Sequence, residues 1–414
     1  MTPDQEPVAA GDNPDATLAR LGLLDLRPVY QPVVDLRDGT VVGYEALARG
    51  RADSGLESPA QLFAAARAER VVGEFDRACR EAALRGFSAA GGEDPSSFAL
   101  FINAEADALG EGAIDLPKSL HTLVVEVNEQ ALVSRPDAVL RALTRFRREG
   151  WGVAIDDVGA DSRSLALMSL LYPDIIKLDL RLLSERRSGD VARIVTAVGA
   201  ESELRQAIVL AEGIDSEEQL ATARAFGAVL GQGFLLGAPA PLPDTLPEPG
   251  RKLRLTSSGG DPWGSSPFSR VTNWKRPARG SRELAARTAA LVARQALELG
   301  ESVIVLGAFP DNGQMTDGEA RMLKELATSV AFVGAIGASE ELEAAGVRTG
   351  PLAPEDPLRG TWTIAALGPN CNACFVAAER ADGDFDFAIS YDRDLVVESA
   401  MLMMARVAPL KAAV

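Results

Sequence analysis

VVGYEALARG (41–50) places an acid inside an apolar run: Glu45 follows Val41-Val42-Gly43-Tyr44, and Arg49 stands four residues further on. An unpaired carboxylate costs several kcal/mol to bury. Glu45 is therefore either a satisfied structural acid or a ligand for something positive, and the rest of the chain must supply the remainder of such a site. The run that holds it is short and β-rich, and helical patterns alternate with more of its kind. Strands are expected at PVYQPVVDL, VVGYEALAR, FALFINA, TLVVEV, GVAIDD, IIKLDL and AIVLAEGI, with a last short one near GQGFLLG. Helices are expected at PAQLFAAARAERVVGEFDRACREAALRGF, DAVLRALTRFRREG and SEEQLATARAFG. Strand–helix repetition implies a parallel sheet. About eight strands between Arg27 and Leu242 suggest a closed α/β barrel, with an open sheet as the alternative.

Polar residues recur at the C-terminal ends of these strands. Glu45 follows VVGY, Asn103 ends FALFIN, Glu126 sits in LVVEV, and Asp156 and Asp157 end GVAIDD. Lys177 follows DII, Glu212 ends AIVLAE, and Gln232 precedes GFLL. In a parallel barrel those ends form one rim, where chemistry is assembled. Strand interiors should be uninterrupted apolar runs. Helix capping or hydration accounts for any one of these acids, but not for the recurrence on strand after strand. Neighbours on a regular strand point to opposite faces. Asp156 and Asp157 can thus share a site only where the strand gives way to its loop, a bend that Gly159 would permit. Glu126 and Glu129 raise the same geometry.

Bulk properties narrow the chemistry. A chain of 414 residues is comfortable for two domains, and 47% hydrophobic content reads as soluble and globular. No apolar run approaches a membrane span, and residues 1–20 lack a basic region followed by an apolar one, so a cytoplasmic location is expected. Three cysteines fit a reducing compartment. A net charge of −17 argues against long nucleic acid but leaves room for a small phosphate ligand held by metal ions or arginines. The single histidine, His121, stands at a strand entrance (HTLVVEV) and argues against an imidazole-rich zinc site. Any metal would be held mainly by oxygen, which favours magnesium or manganese.

The organisation expected is a flexible lead-in (1–26), a barrel (27–242), a Pro/Gly/Ser-rich linker (243–280, from APAPLPDTLPEPG and SSGGDPWGSSP) and a second, smaller α/β domain (281–410). The second domain reads SRELAARTAALVARQALELG, SVIVLGAF, TDGEARMLKELATSV, AFVGAIG, TWTIAALG, NACFVAAE and FDFAISY, closed by RDLVVESAMLMMARVAPL.

In order and spacing, YQPVVDLRDGTVVGYEALARG, FINAEADAL, LVVEVNE, VAIDDVGADSRSL, PDIIKLDL, AEGIDSEEQL and GQGFLLGAP make residues 27–242 resemble the EAL domain. That is the cyclic di-GMP phosphodiesterase fold named for its Glu-Ala-Leu motif, here Glu45-Ala46-Leu47. The resemblance implies a TIM-like (β/α)8 barrel that opens cyclic di-GMP to linear pGpG, and a homodimer through this domain. It implies two Mg²⁺ or Mn²⁺ ions per site, with Glu45, Asn103, Glu126, Asp156 and Asp157 as metal ligands. Lys177 would contact the attacking water, and Glu212 would be a general base or second-metal group. Gln232 would orient a carboxylate or water, and Glu129 would steady the loop after the double Asp. Gln31 and Arg49 would contact substrate, Arg49 through a phosphate oxygen.

The chemistry suits that reading. Two divalent cations about 3.5–4 Å apart can activate water and neutralise a departing alkoxide. An Asn carbonyl with several carboxylates is a suitable donor set for magnesium, and the same cluster without metal suffers like-charge repulsion. Arginine's planar fork fits phosphate. One loop departs from the family: DDVGADSRSL stands where DDFGTGYSSL is usual, with Val158, Ala160, Asp161, Ser162 and Arg163 as the changes. In the family that loop supports the second-metal environment and dimer contacts. The alternative reading is therefore a catalytically degenerate cyclic di-GMP receptor or scaffold; a barrel enzyme for another phosphate ester is a third.

Residues 281–410 resemble the DICT domain, a sensory module, through LGAFPDNGQMT, AFVGAIG, APEDPLRGTWTIAALGPN and FDFAISYDRDLVVESA. Within it Asp356, Arg359 and Trp362 form a candidate cluster. Asp392, Arg393 and Asp394 are expected to cap a helix. Cys371 and Cys374 form a C-x-x-C better read as ordinary strand cysteines than as a zinc or redox pair.

Overall fold

A computed structural model describes residues 18–19, 25–89, 97–109, 122–158, 165–255, 263–309 and 315–410, apart from the side chains of Ala106, Asp107 and Glu129. His121 and the 159–164 segment, with Gly159 and the Ala160–Arg163 changes, lie outside the described residues. Strands β1 (Val29–Asp35), β2 (Val41–Leu47), β3 (Ala99–Asn103), β4 (Leu123–Asn128), β5 (Gly152–Val158), β6 (Ile175–Asp179), β7 (Ile208–Glu212) and β8 (Leu230–Gly231) close into a barrel in chain order.

The barrel is not all-parallel. β1 runs antiparallel to both β2 and β8, while β2 to β8 are parallel. The cause lies in the connection. Leu36–Thr40 joins β1 to β2, too short for a crossover, and closes with Asp35 N–H donating to the Thr40 carbonyl at 2.9 Å and Gly39 in the left-handed region. The Asp38-Gly39 pair in that stretch is an ordinary hairpin-turn signal. The long first helix expected from sequence is likewise two, Pro59–Ala68 and Val72–Ala89, divided where Arg70 takes φ +59°. Leu18, in the expected flexible lead-in, is buried against Leu62 and Phe75.

The second sheet has seven strands, β9 (Ala278–Gly280), β10 (Ile304–Ala308), β11 (Phe332–Ile336), β12 (Arg348–Gly350), β13 (Thr361–Gly368), β14 (Cys371–Glu379) and β15 (Phe385–Ser390), in the order β12-β11-β10-β13-β14-β15-β9. One face is covered by helices Arg282–Leu299 and Asp317–Ala327. The other carries helices Pro267–Trp274 and Arg393–Met404, and it rests on the barrel. Cys371 and Cys374, three apart on β14, therefore belong to opposite faces and opposite cores.

The stretch 243–280, expected as a linker, is packed in three places. Leu253 and Leu255 join the apolar plug inside the barrel, Pro267–Trp274 is a helix, and Ala278–Gly280 pairs with β15. Its proline and glycine content masked the apolar residues that anchor it. Barrel and second sheet also share one apolar cluster, in which Leu167, Leu170 and Leu171 of the barrel meet Leu306, Val397 and Met401. No helix among the described residues is long and apolar enough to cross a membrane.

Candidate active site

Side chains alternate along a strand, so inward positions can be followed two residues at a time. On β3 the series is Ala99, Phe101, Asn103; on β4, Val124, Glu126; on β5, Ala154, Asp156; on β6, Ile175, Lys177, Asp179; on β7, Leu210, Glu212. The apolar members form the plug inside the barrel, with Val33, Val42 and Leu230. The polar members stand at the C-terminal ends. Register sets Gln31 opposite Glu45, Asn103 opposite Glu126, and Asp179 opposite Glu212.

Lys177 is the hub. Its side chain is 1% exposed, and Nζ lies 2.8 Å from Glu212 Oε1, 2.9 Å from Glu126 Oε1, 3.0 Å from Asp156 Oδ1 and 3.6 Å from Glu45 Oε2. One ammonium thus answers four carboxylates. Burial alone would lower its proton affinity, but Asp156, Glu126, Glu212 and Glu45 outweigh that and hold it above the usual lysine value. The acids share the deficit. Burial, then the charge of Glu45, pushes Glu126 well above the ordinary carboxylate range, against the pull of Lys177. Burial raises Glu212 to about 8, again opposed by Lys177.

Asp157 reaches the same rim by a local break. It takes φ +57°, and the β5–β6 register slips between Ile155 and Val158. A bend that brings adjacent acids together thus lies at Asp157 itself, while Gly159 lies outside the described residues. Carboxylate oxygens of Asp156, Asp157 and Glu212 all come within 4.8 Å of one another. Burial, then the charge of Asp156, raises the proton affinity of Asp157.

Gln232 Nε2 donates to Glu45 Oε2 at 2.7 Å and to Gln31 Oε1 at 3.0 Å, while Gln31 Nε2 donates to the Gly237 carbonyl at 3.1 Å. This relay fixes Glu45 from the β1 side. Asn103 Nδ2 is 3.4 Å from the other Glu45 oxygen, which leaves its carbonyl oxygen for another partner. Arg49 follows β2 and donates Nη1 to the Ala48 carbonyl at 2.9 Å; burial draws its proton affinity down, against the charge of Glu45. Glu129 begins the helix Glu129–Ser134, and its side chain lies outside the described residues.

The donor set fits a hard divalent cation. Both oxygens of the buried Glu126 lack a partner in hydrogen-bonding geometry, and Asp156 belongs both to the Lys177 cluster and to the Asp157–Glu212 group. Among the described residues of this cluster the donors are oxygens, as magnesium or manganese prefers. Above the acids opens a cavity of about 1040 Å³ lined by Glu45, Asn103, Glu126, Asp156 and Asp157. Leu167 lines it too, and so do Phe332 of β11 and Leu410, outside the barrel.

Two acids escaped the sequence reading. Asp179 is buried, accepts from the backbone N–H of Arg181 at 2.7 Å, and adds its charge to Asp157. Its signal was its place two residues beyond Lys177, on the same strand face. Asp76, buried and paired with Arg80 one helical turn on, lines the cavity and receives the Glu105 N–H at 3.3 Å. The second-domain cluster is structural instead. Asp356 pairs with Arg406 at 2.6 Å, Arg359 donates to the Leu352 and Ala353 carbonyls, and Trp362 is buried in the core.

A family model described as the EAL domain matches residues 18–239. Among curated proteins, the cyclic di-GMP phosphodiesterase NbdA of Pseudomonas aeruginosa is 32% identical over 232 residues, covering 51% of this chain and 29% of that protein. The uncharacterized EAL-domain containing protein YkuI of Bacillus subtilis is 29% identical over 229 residues, covering 52% of this chain and 55% of that one. The match thus spans about half or less of these relatives' length. Among solved structures, a PaMucR phosphodiesterase complex with c-di-GMP aligns at a TM-score of 0.47 and 27% identity, over 55% of this chain and 97% of that chain.

Proposed function

The chain belongs to the EAL domain family, and on that premise we propose that its barrel hydrolyses cyclic di-GMP to linear pGpG with the help of bound Mg²⁺ or Mn²⁺. The observation that carries this reading is the convergence of Glu45, Glu126, Asp156 and Glu212 on one buried ammonium, with Asp157 alongside. Glu45, Asn103, Glu126 and Asp156 would hold one cation, and Asp156, Asp157 and Glu212 a second. Bound there, such ions supply Lewis acidity and neutralise charge on the phosphate and the leaving oxygen.

The chain's own groups do the rest. Lys177 stands between Asp156 and Glu212 and holds the oxygen of the attacking water in place. Glu212, 2.8 Å from Lys177 and kept ionised when a cation is bound beside it, accepts that water's proton as the new P–O bond forms. The bond from phosphorus to the 3′ oxygen breaks opposite it, and that oxygen leaves as a hydroxyl after taking a proton from solvent. Gln232, braced by Gln31, keeps Glu45 from turning away. Arg49, which in this structure donates to the Ala48 carbonyl, would donate to a phosphate oxygen of the substrate. The second domain serves as the DICT-like sensory module that modulates the barrel. A homodimer through the barrel would use a face other than helix Leu165–Leu171, which the second domain covers.

The test is turnover by the purified chain with Mn²⁺ and cyclic di-GMP, followed by chromatography of the products. Linear pGpG that disappears in Glu45→Ala supports the proposal. Tight binding without any product makes the chain a receptor, and no binding at all removes cyclic di-GMP from the account.

A further inference from the structure

We propose that Arg393 of the second domain is a positioning residue for the barrel site, acting through Ser169 and Glu201 on the helix Leu165–Leu171. Its effect on turnover rests on the phosphodiesterase reading; the mechanical link does not.

The helix reads LALMSLL, and all seven residues are buried. A helix apolar all round must be covered on both sides. Its inner side packs on β5, and its outer side packs on β13 and helix Arg393–Met404. Leu167 lines the same cavity as Asp156 and Asp157. This short helix therefore touches the acid rim and the second domain at once.

Its one polar side chain is Ser169. That hydroxyl donates to Glu201 Oε2 at 3.0 Å and lies 2.7 Å from Arg393 Nη2. Arg393 Nη2 also pairs with Glu201, and Nη1 donates to Asn372 Oδ1 at 2.8 Å. Ser169 and Glu201 are both fully buried. Within the barrel, the cation beside Glu201 among the described residues is Arg205, at 3.8 Å. The barrel thus carries a buried acid on its outer helix Ser188–Arg205 whose close counterion comes from the other domain. The planar guanidinium presents its two Nη groups in a fixed fork, Nη1 to Asn372 on its own side and Nη2 to Ser169 and Glu201 of the barrel.

A second contact fixes the helix's end. Arg205 Nη1 pairs with Asp394 at 2.6 Å, and the Arg205 Cζ lies over the Tyr172 ring, 3.9 Å from its centroid. Tyr172, the residue after the helix, has its hydroxyl 3.4 Å from Asp394 Oδ1. From the barrel side, Arg147 donates to the Leu171 and Tyr172 carbonyls. Arg147 holds the end of the helix, and Arg393 holds its middle, nearest Leu167.

The experiment compares wild type, Arg393→Gln, Ser169→Ala and the reversed pair Glu201→Arg/Arg393→Glu in the full chain. Hydrogen–deuterium exchange is read first, because it needs neither metal nor substrate. Arg393→Gln should speed exchange in residues 165–171 and at the end of β5 while leaving β1 to β3 unchanged; Ser169→Ala should do the same more weakly; the reversed pair should restore protection. Mn²⁺ affinity and kcat should fall by roughly 2- to 30-fold, the range for coupling through packed side chains, with KM moving less. Exchange that rises only within 393–404, or unchanged Mn²⁺ affinity despite a loosened helix, overturns the proposal. If Arg393→Gln does not fold, Ser169→Ala decides alone, since losing one hydroxyl spares the ion pair. A wild-type chain that neither binds nor cleaves cyclic di-GMP would sink the phosphodiesterase reading, and the exchange pattern would still decide for or against Arg393.

Discussion

Lys177 Nζ stands 2.9 Å from Glu126 Oε1, with both side chains excluded from water. In metal-free protein this ammonium is the main counterion of the rim. Replacing it, as in Lys177→Met, leaves buried carboxylates without a cation, and breaking such a pair costs about 3–5 kcal/mol. The metal-free variant should melt well below wild type. Added Mn²⁺ should recover much of that loss, because an ion bound only by the folded state stabilises it by mass action. Turnover should stay at least about 100-fold down, as for loss of a group that positions the attacking water. Thermal melts with and without Mn²⁺ check this; a metal-free midpoint equal to wild type would contradict it.

The pH dependence of stability should run opposite to that of most acids. Glu212 is raised from 4.5 to about 8, so across that window the folded chain holds a proton that the unfolded chain releases. Stability should therefore decline as pH rises through it, by up to about 1.4 kcal/mol per pH unit for one group. Glu126, shifted the same way, adds to the slope. Saturating Mg²⁺ should flatten it, since ligation keeps the carboxylates ionised in the folded state. Urea melts between pH 5 and 8, as round working values, read the slope; stability rising with pH in chelator would refute the assignment.

Gly233 follows Gln232, and a Cβ there would collide with the backbone of Ile214. Gly233→Ala should cost about 1–3 kcal/mol through overpacking. It should also displace the Gln232 amide from Glu45, so activity should fall further than stability explains. Kinetics at a temperature where the variant remains fully folded separate the two effects.

A chain cut after Leu255 should not behave as an independent barrel. The cut would lay bare the outer face of Leu165–Leu171, and each large apolar side chain newly exposed forfeits about 1.5–3 kcal/mol. Glu201 would lose Arg393 as well. Aggregation or a broad, weakly cooperative melt is expected. A sharp transition near that of the full chain would show that the shared cluster contributes little.

The rim was legible because its residues obey period two: once a strand is placed, Lys177 follows Ile175 and Glu212 follows Leu210 on the inner face. The convergence of Glu45 with Lys177 across the barrel was legible only through repetition on many strands. Three things were hidden. The antiparallel β1 was masked by the strand–helix rhythm that begins after it, although Asp38-Gly39 marked the turn. The left-handed backbone of Asp157 was not foreseen, because glycine advertises backbone freedom and an aspartate does not. Helix Ser188–Arg205 went unread, and with it the role of Glu201 and Arg205. Asp392 caps its helix as its position suggested, accepting from Leu395 N–H at 3.1 Å. Arg393 and Asp394, beside it, face partners 192 and 189 residues away in sequence, beyond the reach of local pattern.

Since barrel and sheet share one apolar cluster, neither half is a cassette. A chimera that kept this barrel and borrowed another sensor would have to borrow the matching surface for Leu165–Leu171 and an arginine for Glu201. Substitutions on the two sides of that boundary should therefore be tolerated in pairs and rejected singly, which ties the sequence drift of each half to the other.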